Sequence, residues 1–470
     1  MNYRFLLLAI CAIIGINRIF SQLPIQLPAL LSDHAVLQKN AINTLWGKGP
    51  AGKNIKIIGS WDNSDTINVI VGNDCMWKTQ IKTPSSDGTY TLQFISDKQN
   101  IIVNDILLGD VWLCSGQSNM EFNMNWGIDT TQESYKIKEN NSIRFFQVER
   151  NFDNNLVSDV KGKWVICTSE NAKSFSTVGY FFGRKIQETL HHPIGLIGSY
   201  WGGTNIQDWM PKESFNQSDL QISQMHIDPY EGSPRGYSIL YNGMINPLLN
   251  YNIKGAVWYQ GETNVDYDWN IYGKLLSTMI NGWRFYMHNN IPFYTIQIAP
   301  WNGYASRRAA ILREQVAQLG QYIPNYGTIS ILDLIDDTTN LHPKIKREVG
   351  IRIADKILNE IYHQSQFPAT APKIFNVVFE KNMAIVSIQS TGPVHSSKKN
   401  ITEFELAGRD SIFYPAQAKI EKDNRIILSS KNVNAPQYLR YSFKNASVPN
   451  IFDNSRLSLL PYRTDDFEIK

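Results

Sequence analysis

Apolar positions along this chain follow two different rhythms, and the change from one to the other divides it. Between residues 22 and 105, Asn54-Ile55-Lys56-Ile57-Ile58 and Thr66-Ile67-Asn68-Val69-Ile70-Val71 are rich in strand-favouring side chains. Thr89-Tyr90-Thr91-Leu92-Gln93-Phe94 alternates polar with apolar, and Ser86-Asp87-Gly88 before it is turn-forming. Alternation with period two is the mark of a strand with one wet face, and short strands at this spacing predict a small antiparallel β-sandwich. From residue 106 to 364 the runs become short and largely uninterrupted, as in Val111-Trp112-Leu113-Cys114, Ile194-Gly195-Leu196-Ile197-Gly198, Gly255-Ala256-Val257-Trp258-Tyr259 and Ile329-Ser330-Ile331-Leu332. Strands covered on both faces read this way. Helical spacing lies between them, over residues 180–190 and 307–319 and again over 346–357. Alternating strands and helices predict an α/β domain: a parallel sheet in a three-layer α/β/α arrangement, with functional residues on loops at the strands' carboxyl ends. Strand patterns return in residues 365–470, as in Met383-Ala384-Ile385-Val386-Ser387-Ile388 and Arg425-Ile426-Ile427-Leu428, and predict a second β-sandwich.

The first 21 residues stand apart from this scheme. Arg4 precedes an apolar run over residues 5–14, and small or polar residues follow up to Ser21. That is the pattern of an export signal, too short for a comfortable membrane span. Its cleavage would leave a secreted or periplasmic chain without a stable membrane insertion. It would also lower the net charge of +3 to +1, because the segment carries two arginines and no acid. With no long basic block, nucleic acid is not an expected partner. Cys75, Cys114 and Cys167 would remain; three cysteines cannot all pair, and their spacing matches no zinc site. No metal or cofactor is expected. A composition of 43% hydrophobic and 19% charged residues excludes a disordered chain. The 12 Trp and 22 Tyr suit stacking on sugar rings, although aromatics also fill sandwich cores.

Chemistry concentrates at the ends of the apolar runs. Gly109-Asp110-Val111-Trp112-Leu113-Cys114-Ser115-Gly116-Gln117-Ser118-Asn119-Met120-Glu121 reads as a buried strand, a glycine turn and an exposed hydroxyl at a helix start. A serine so placed can act as a nucleophile with backbone N–H groups beside it. Such a turn alone is commonly an ordinary loop. Further along stand Ser199-Tyr200-Trp201-Gly202-Gly203-Thr204-Asn205, Trp258-Tyr259-Gln260-Gly261-Glu262-Thr263-Asn264 and Asn340-Leu341-His342-Pro343.

Ser, Gly, Asn and His in this order, each after a strand, resemble the four blocks of the SGNH hydrolase superfamily. The segment Leu27-Pro28-Ala29-Leu30-Leu31-Ser32-Asp33-His34-Ala35-Val36-Leu37-Gln38 is similar to the N-terminal signature of sialate O-acetylesterases. So are Gly116-Gln117-Ser118-Asn119-Met120, Gly202-Gly203-Thr204 with Trp209, Trp258-Tyr259-Gln260-Gly261-Glu262 and Leu341-His342-Pro343. Phe404-Glu405-Leu406-Ala407-Gly408-Arg409-Asp410 and the tail Pro461-Tyr462-Arg463-Thr464-Asp465-Asp466 extend the resemblance over nearly the whole chain.

That resemblance implies a secreted serine esterase acting on O-acetylated sugars, sialic acids first among them. Ser118 would be the nucleophile and His342 its base. The backbone N–H of Ser118, that of Gly203 or Gly202, and the Asn264 amide would form the oxyanion hole. One position departs from the pattern: three residues before His342, where many such enzymes carry the orienting Asp, stands Thr339. Asp337 is the nearest candidate, with Asp333 and Asp336 behind it and a Ser–His dyad as the alternative. Glu121 and Glu262 suggest a glycosidase pair, but both sit inside esterase blocks and read better as groups that order the loops. His191-His192 read as surface residues. Two rival readings stand beside this one: an acetylesterase for plant polysaccharide such as xylan, and a non-catalytic sugar-binding surface protein. Loops carrying Trp201 and Trp209 are expected to limit the acyl group to acetyl.

Overall fold

The computed structural model describes residues 24–468, apart from residues 63, 65, 98, 217–219 and 221–233. The expected leader, residues 1–21, lies outside the described residues.

One strand joins the first two regions. Strand β1, Gln99–Gly116, runs for 18 residues. Its first half pairs antiparallel with Thr89–Ser96, which pairs in turn with Asn54–Gly59, and that strand with Thr66–Ile70. Its second half is buried without interruption from Ile106 to Gly116. The change falls at Asp105, whose φ is +53° and whose carboxylate binds His34 Nδ1 at 2.5 Å and Arg144 Nη2 at 3.0 Å. The boundary expected after residue 105 therefore lies within a continuous strand. One hydrophobic cluster runs across it, from Leu45, Ile55 and Trp77 to Trp258 and Leu276.

The central sheet adds β2 (Asn140–Gln147), β3 (Trp164–Cys167), β4 (Ile194–Tyr200), β5 (Gly255–Tyr259), β6 (Phe293–Ile296) and β7 (Tyr326–Ile329). Their order is β7-β6-β5-β1-β4-β2-β3, and every neighbouring pair is parallel except β2 with β3. Strands β4 and β5 are buried throughout, as their uninterrupted apolar runs require. The run expected as a strand to Leu332 leaves the sheet after Ile329, although Ile331 and Leu332 stay buried against it.

Helices cover both faces. On one face pack α2 (Thr177–Leu190) and α5 (Lys346–Glu360), through Val178, Phe181, Val349 and Ile353. Ser176 starts α2 by accepting the Gly179 N–H at 3.0 Å, a cap that satisfies one of the helix's free donors. On the other face lie α3 (Tyr272–Met287) and α4 (Arg308–Gln318), through Leu275, Met279, Leu312 and Val316. The four-residue helix α1, Ser118–Glu121, follows β1 directly.

Residues 373–463 form two four-stranded sheets and a short two-stranded pairing around their own core, which includes Val386, Leu406, Leu428 and Leu439. Ion pairs fasten this region to the central one: Arg307 to Glu405 at 2.9 Å, and Arg463 to Glu314 at 2.7 and 2.8 Å.

Candidate active site

Strand β1 ends in the middle of the sheet, between β4 and β5, where a turn can leave the sheet edge-on. Gly116 has φ +136°, and a Cβ there would stand 2.1 Å from the Tyr259 carbonyl oxygen. Only glycine fits that approach. The next residue, Gln117, donates its N–H to the Tyr259 carbonyl at 3.0 Å and accepts the Gly261 N–H on Oε1 at 3.2 Å. This double fastening presents Ser118 at the start of α1, partly exposed, with Asn119 and Met120 buried behind it.

His342 comes from the loop between β7 and α5. Its Nε2 lies 2.8 Å from Ser118 Oγ, and its backbone N–H donates to Asn340 Oδ1 at 2.9 Å. Burial, and then the charge of Lys346, hold the imidazole below the usual histidine range. A neutral imidazole at hydrogen-bonding distance from a hydroxyl is the arrangement of a general base with its nucleophile.

The glycine pair after β4 stands alongside. A Cβ on Gly202 would lie 3.1 Å from the Ser118 Cβ. The Gly202 N–H is already taken, donating to Glu121 Oε2 at 2.9 Å. Arg150 binds the other oxygen of Glu121 and lies over the Trp201 ring, 5.2 Å from its centre. Gly203 has φ +76°, and neither its N–H nor that of Ser118 has an acceptor among the described residues. The N–H groups of Ser118 and of Gly203, the residue after Gly202, are therefore unspent. Of the two glycines considered from sequence, Gly203 is the one with a free N–H.

Asn264 is not arranged as the sequence reading expects. It is fully buried, and its Oδ1 accepts the Ile206 N–H at 2.9 Å and Gln260 Nε2 at 2.8 Å. Its amide donates to Gln207 Oε1 at 3.0 Å and to the Tyr267 carbonyl at 3.3 Å. Both amide hydrogens are spent on the loop frame, so neither is free for an oxyanion.

The three aspartates differ as well. Asp337 is exposed, and its Oδ1 accepts the N–H and the hydroxyl of Thr339 at 2.8 and 2.7 Å, which keeps its carboxyl below the usual range. Asp336 accepts the Asp337 N–H at 3.0 Å. Asp333 is held bidentate by Arg352 at 2.7 and 2.8 Å and accepts the Ser458 hydroxyl at 3.0 Å. Among the described residues no carboxylate pairs with the His342 ring; the expected contact from Asp337 is replaced by a local turn, because Thr339 is two residues away and captures it.

Other expectations fare variously. Trp209 is fully buried against Trp258, which packs in turn on Trp283, and Trp201 is nearly so; both are core residues. His192 is not a bare surface residue, since its Nε2 binds Asp110 Oδ2 at 2.9 Å. Glu121 and Glu262 are each bonded into the loop frame around Ser118. Cys75, Cys114 and Cys167 are free and buried, and burial pushes the Cys114 and Cys167 thiols up to about 12. No helix among the described residues is long and apolar enough to cross a membrane.

One group near the site escaped the sequence reading altogether. Lys346, at the start of α5, is completely buried, and burial lowers its ammonium to about 7. Its spacing of four residues from His342 is a signal, but a lysine at a helix start does not by itself announce burial.

The carbohydrate esterase family described as sialic acid-specific acetylesterase matches residues 108–359, more than half of the chain and all of the elements that carry this site. The sialate O-acetylesterase of Homo sapiens is 29% identical over 364 residues, covering 69% of this chain and 68% of its own length. That of Rattus norvegicus is 28% identical over 384 residues, covering 69% and 71%. Among solved structures, a carbohydrate acetylesterase from Xanthomonas citri superposes with a TM-score of 0.84 at 30% identity, over 94% of this chain and all of its own. With a parallel α/β core that agrees in shape and a family match that spans the serine, the glycines and the histidine, the chain belongs to the carbohydrate esterase family of sialic acid-specific acetylesterases and is a carboxylic ester hydrolase.

Proposed function

We propose that this enzyme removes O-acetyl groups from sugars, with O-acetylated sialic acids as its substrates, through an acetyl-enzyme on Ser118. The observation that carries the reading is the 2.8 Å contact between Ser118 Oγ and His342 Nε2, with the N–H groups of Ser118 and Gly203 unspent. In the first step His342 takes the hydroxyl proton as Ser118 Oγ bonds to the acetyl carbon. The N–H groups of Ser118 and Gly203 receive the negative oxygen; each donor of this kind is worth roughly 10²–10³ in turnover. Collapse breaks the ester bond, and the sugar oxygen leaves with the proton held by His342. Water, deprotonated by the same imidazole, then attacks the acetyl-enzyme, and acetate departs as Ser118 regains its proton.

Support for a sialic acid comes from the family description and from the names of the mammalian relatives. An exposed cation beside the site suits the carboxylate of such a sugar: Arg150, 44% exposed along its side chain, reaches the Glu121 that braces Gly202. The leader-like residues 1–21 suit an exported enzyme that meets its glycans outside the cytoplasm.

The test is kcat/KM on O-acetyl sialic acid against an acetylated xylo-oligosaccharide, followed by acetyl, butyryl and octanoyl esters of one chromogenic alcohol. A preference for the sialate is expected, with turnover falling at butyryl and absent at octanoyl. A clear preference for the xylan fragment would discard the sialate reading and keep the esterase. No turnover on any ester would favour a binding protein.

A further inference from the structure

We propose that Lys346 is a positioning residue of this site: through the buried chain Glu262–Asn119–Lys346 it ties the nucleophile turn to the histidine loop and fixes the Ser118–His342 pair. The inference rests on the reading of Ser118 and His342 given above.

Asn119 is the hub. It follows Ser118 directly, and its Nδ2 donates to Glu262 Oε1 at 2.5 Å and to the Leu341 carbonyl at 3.2 Å. Leu341 immediately precedes His342. The Asn119 Oδ1 accepts Lys346 Nζ at 2.5 Å, so one amide joins the serine turn, the β5 loop, the histidine loop and the first turn of α5. Asn119 and Lys346 are fully buried and Glu262 is 4% exposed. The rings of Phe122 and Tyr259 flank the ammonium, 5.1 and 5.4 Å from it.

Burying an ammonium and a carboxyl is costly unless each is well paired, so a core serving stability alone would favour apolar groups here. A site with no carboxylate on its imidazole, by contrast, must hold that ring through other contacts. The Asn119 to Leu341 bond is such a contact, and Lys346 fixes the Asn119 amide the right way round. The charged and titratable groups facing Lys346 are Glu262, Asp336, Tyr259 and His342; the first two favour its ammonium, and it in turn disfavours protonation of His342. Its neighbours on α5, Arg347 and Glu348, pair with each other.

The sign of the effect on the base follows. His342 works as a base only when neutral, so a nearby positive charge extends activity to lower pH. Removing that charge moves the acid limb of kcat/KM to higher pH.

The experiment compares the full chain with Lys346→Met and with the double variant Lys346→Met/Glu262→Gln. The double variant removes both buried charges, so it stays folded even where the single change leaves Glu262 uncompensated. Folding is checked by thermal melting, and kcat, KM and the pH profile are read on a chromogenic acetyl ester. The expected result is a fall in kcat of about 10- to 100-fold, since small misplacements of reacting groups have effects of that order. KM should change by less than about threefold, and in Lys346→Met, where only the positive charge is lost, the acid limb should move up. A folded double variant with kcat within about threefold of the parent, or a folded Lys346→Met with an unmoved acid limb, overturns the proposal. Ser118→Ala runs alongside: full esterase activity in that folded variant would overturn the nucleophile reading, and this inference with it.

Discussion

The two members of the proposed catalytic pair, Ser118 and His342, are held in different ways. Ser118 stands at the end of a strand in the middle of the sheet, on a turn tied to β5 and the loop after it: Gly116 by close approach to Tyr259, Gln117 by its N–H to Tyr259 and its side chain to Gly261. His342 stands on the loop that follows β7, the strand at one edge, and its ring meets no carboxylate among the described residues. Its loop is anchored instead at a distance, by Asp333 to Arg352 and Ser458, and close by through Asn119. The contrast teaches where precision originates in this site. Ser118 inherits it from the sheet; His342 inherits much of it from Asn119, the neighbour of Ser118. A device of this kind makes the pair rise and fall together, which gives the comparison its most direct tests.

The largest effect is expected from breaking the pair itself. Ser118→Ala and His342→Ala should each lower kcat by at least about 10³-fold, roughly 4 kcal/mol of transition-state stabilisation, with melting temperatures close to the parent's. Because the two groups act as one unit, the double variant should be hardly worse than either single one. Losses that multiply in the double variant would show two independent contributions, and the coupling drawn from the Asn119 hub would not hold.

A smaller effect, on the fold rather than on turnover, should follow from disturbing the sheet-held half. A methyl at Gly116 meets a backbone oxygen that has no room to move, in a conformation that other residues rarely adopt. Gly116→Ala should lower stability by about 3 kcal/mol, read by denaturant unfolding, and reduce activity with it. A variant as stable as the parent would mean that the turn yields, and that the nucleophile is no more rigidly held than the base.

The same contrast explains what the sequence made legible. Strand ends announce themselves: the apolar runs over β1, β4 and β5, each closing on a glycine or a small polar cluster, located the serine, the glycine pair and the fold around them. Regular periodicity also located α2, α4 and α5, with ends displaced by a few residues. Long-range side-chain bonds do not announce themselves. Asn264 sits in the right block, yet Gln207 and Tyr267 claim its amide, and no local pattern records that. Lys346 looks like a solvated helix start until Phe122, Tyr259 and Asn119 are seen around it. The continuity of β1 through Asp105 was hidden for a related reason: the pattern changes there because the burial changes, while the backbone simply continues.

The smallest effect is expected at the position where a resemblance alone would place a large one. An aspartate that orients a catalytic imidazole loses about 10⁴ in kcat when it becomes asparagine, because the ring is then held in the wrong tautomer. Asp337 has no such contact; its Oδ1 is occupied by both donors of Thr339, and it lies in solvent. An asparagine side chain retains a carbonyl oxygen that can accept those same two bonds. Asp337→Asn should therefore keep kcat within about twofold of the parent, with an unmoved acid limb, since the groups that depress His342 are burial and Lys346 rather than this carboxylate. The measurement is the pH profile of kcat on the same acetyl ester, with Asp337→Ala beside it to expose any role of the turn. A loss beyond about 100-fold in Asp337→Asn would mean that the histidine loop refolds when substrate binds and brings this carboxylate to the ring. The base would then be held by a full triad, and the difference between the two halves of the site would disappear in the working enzyme.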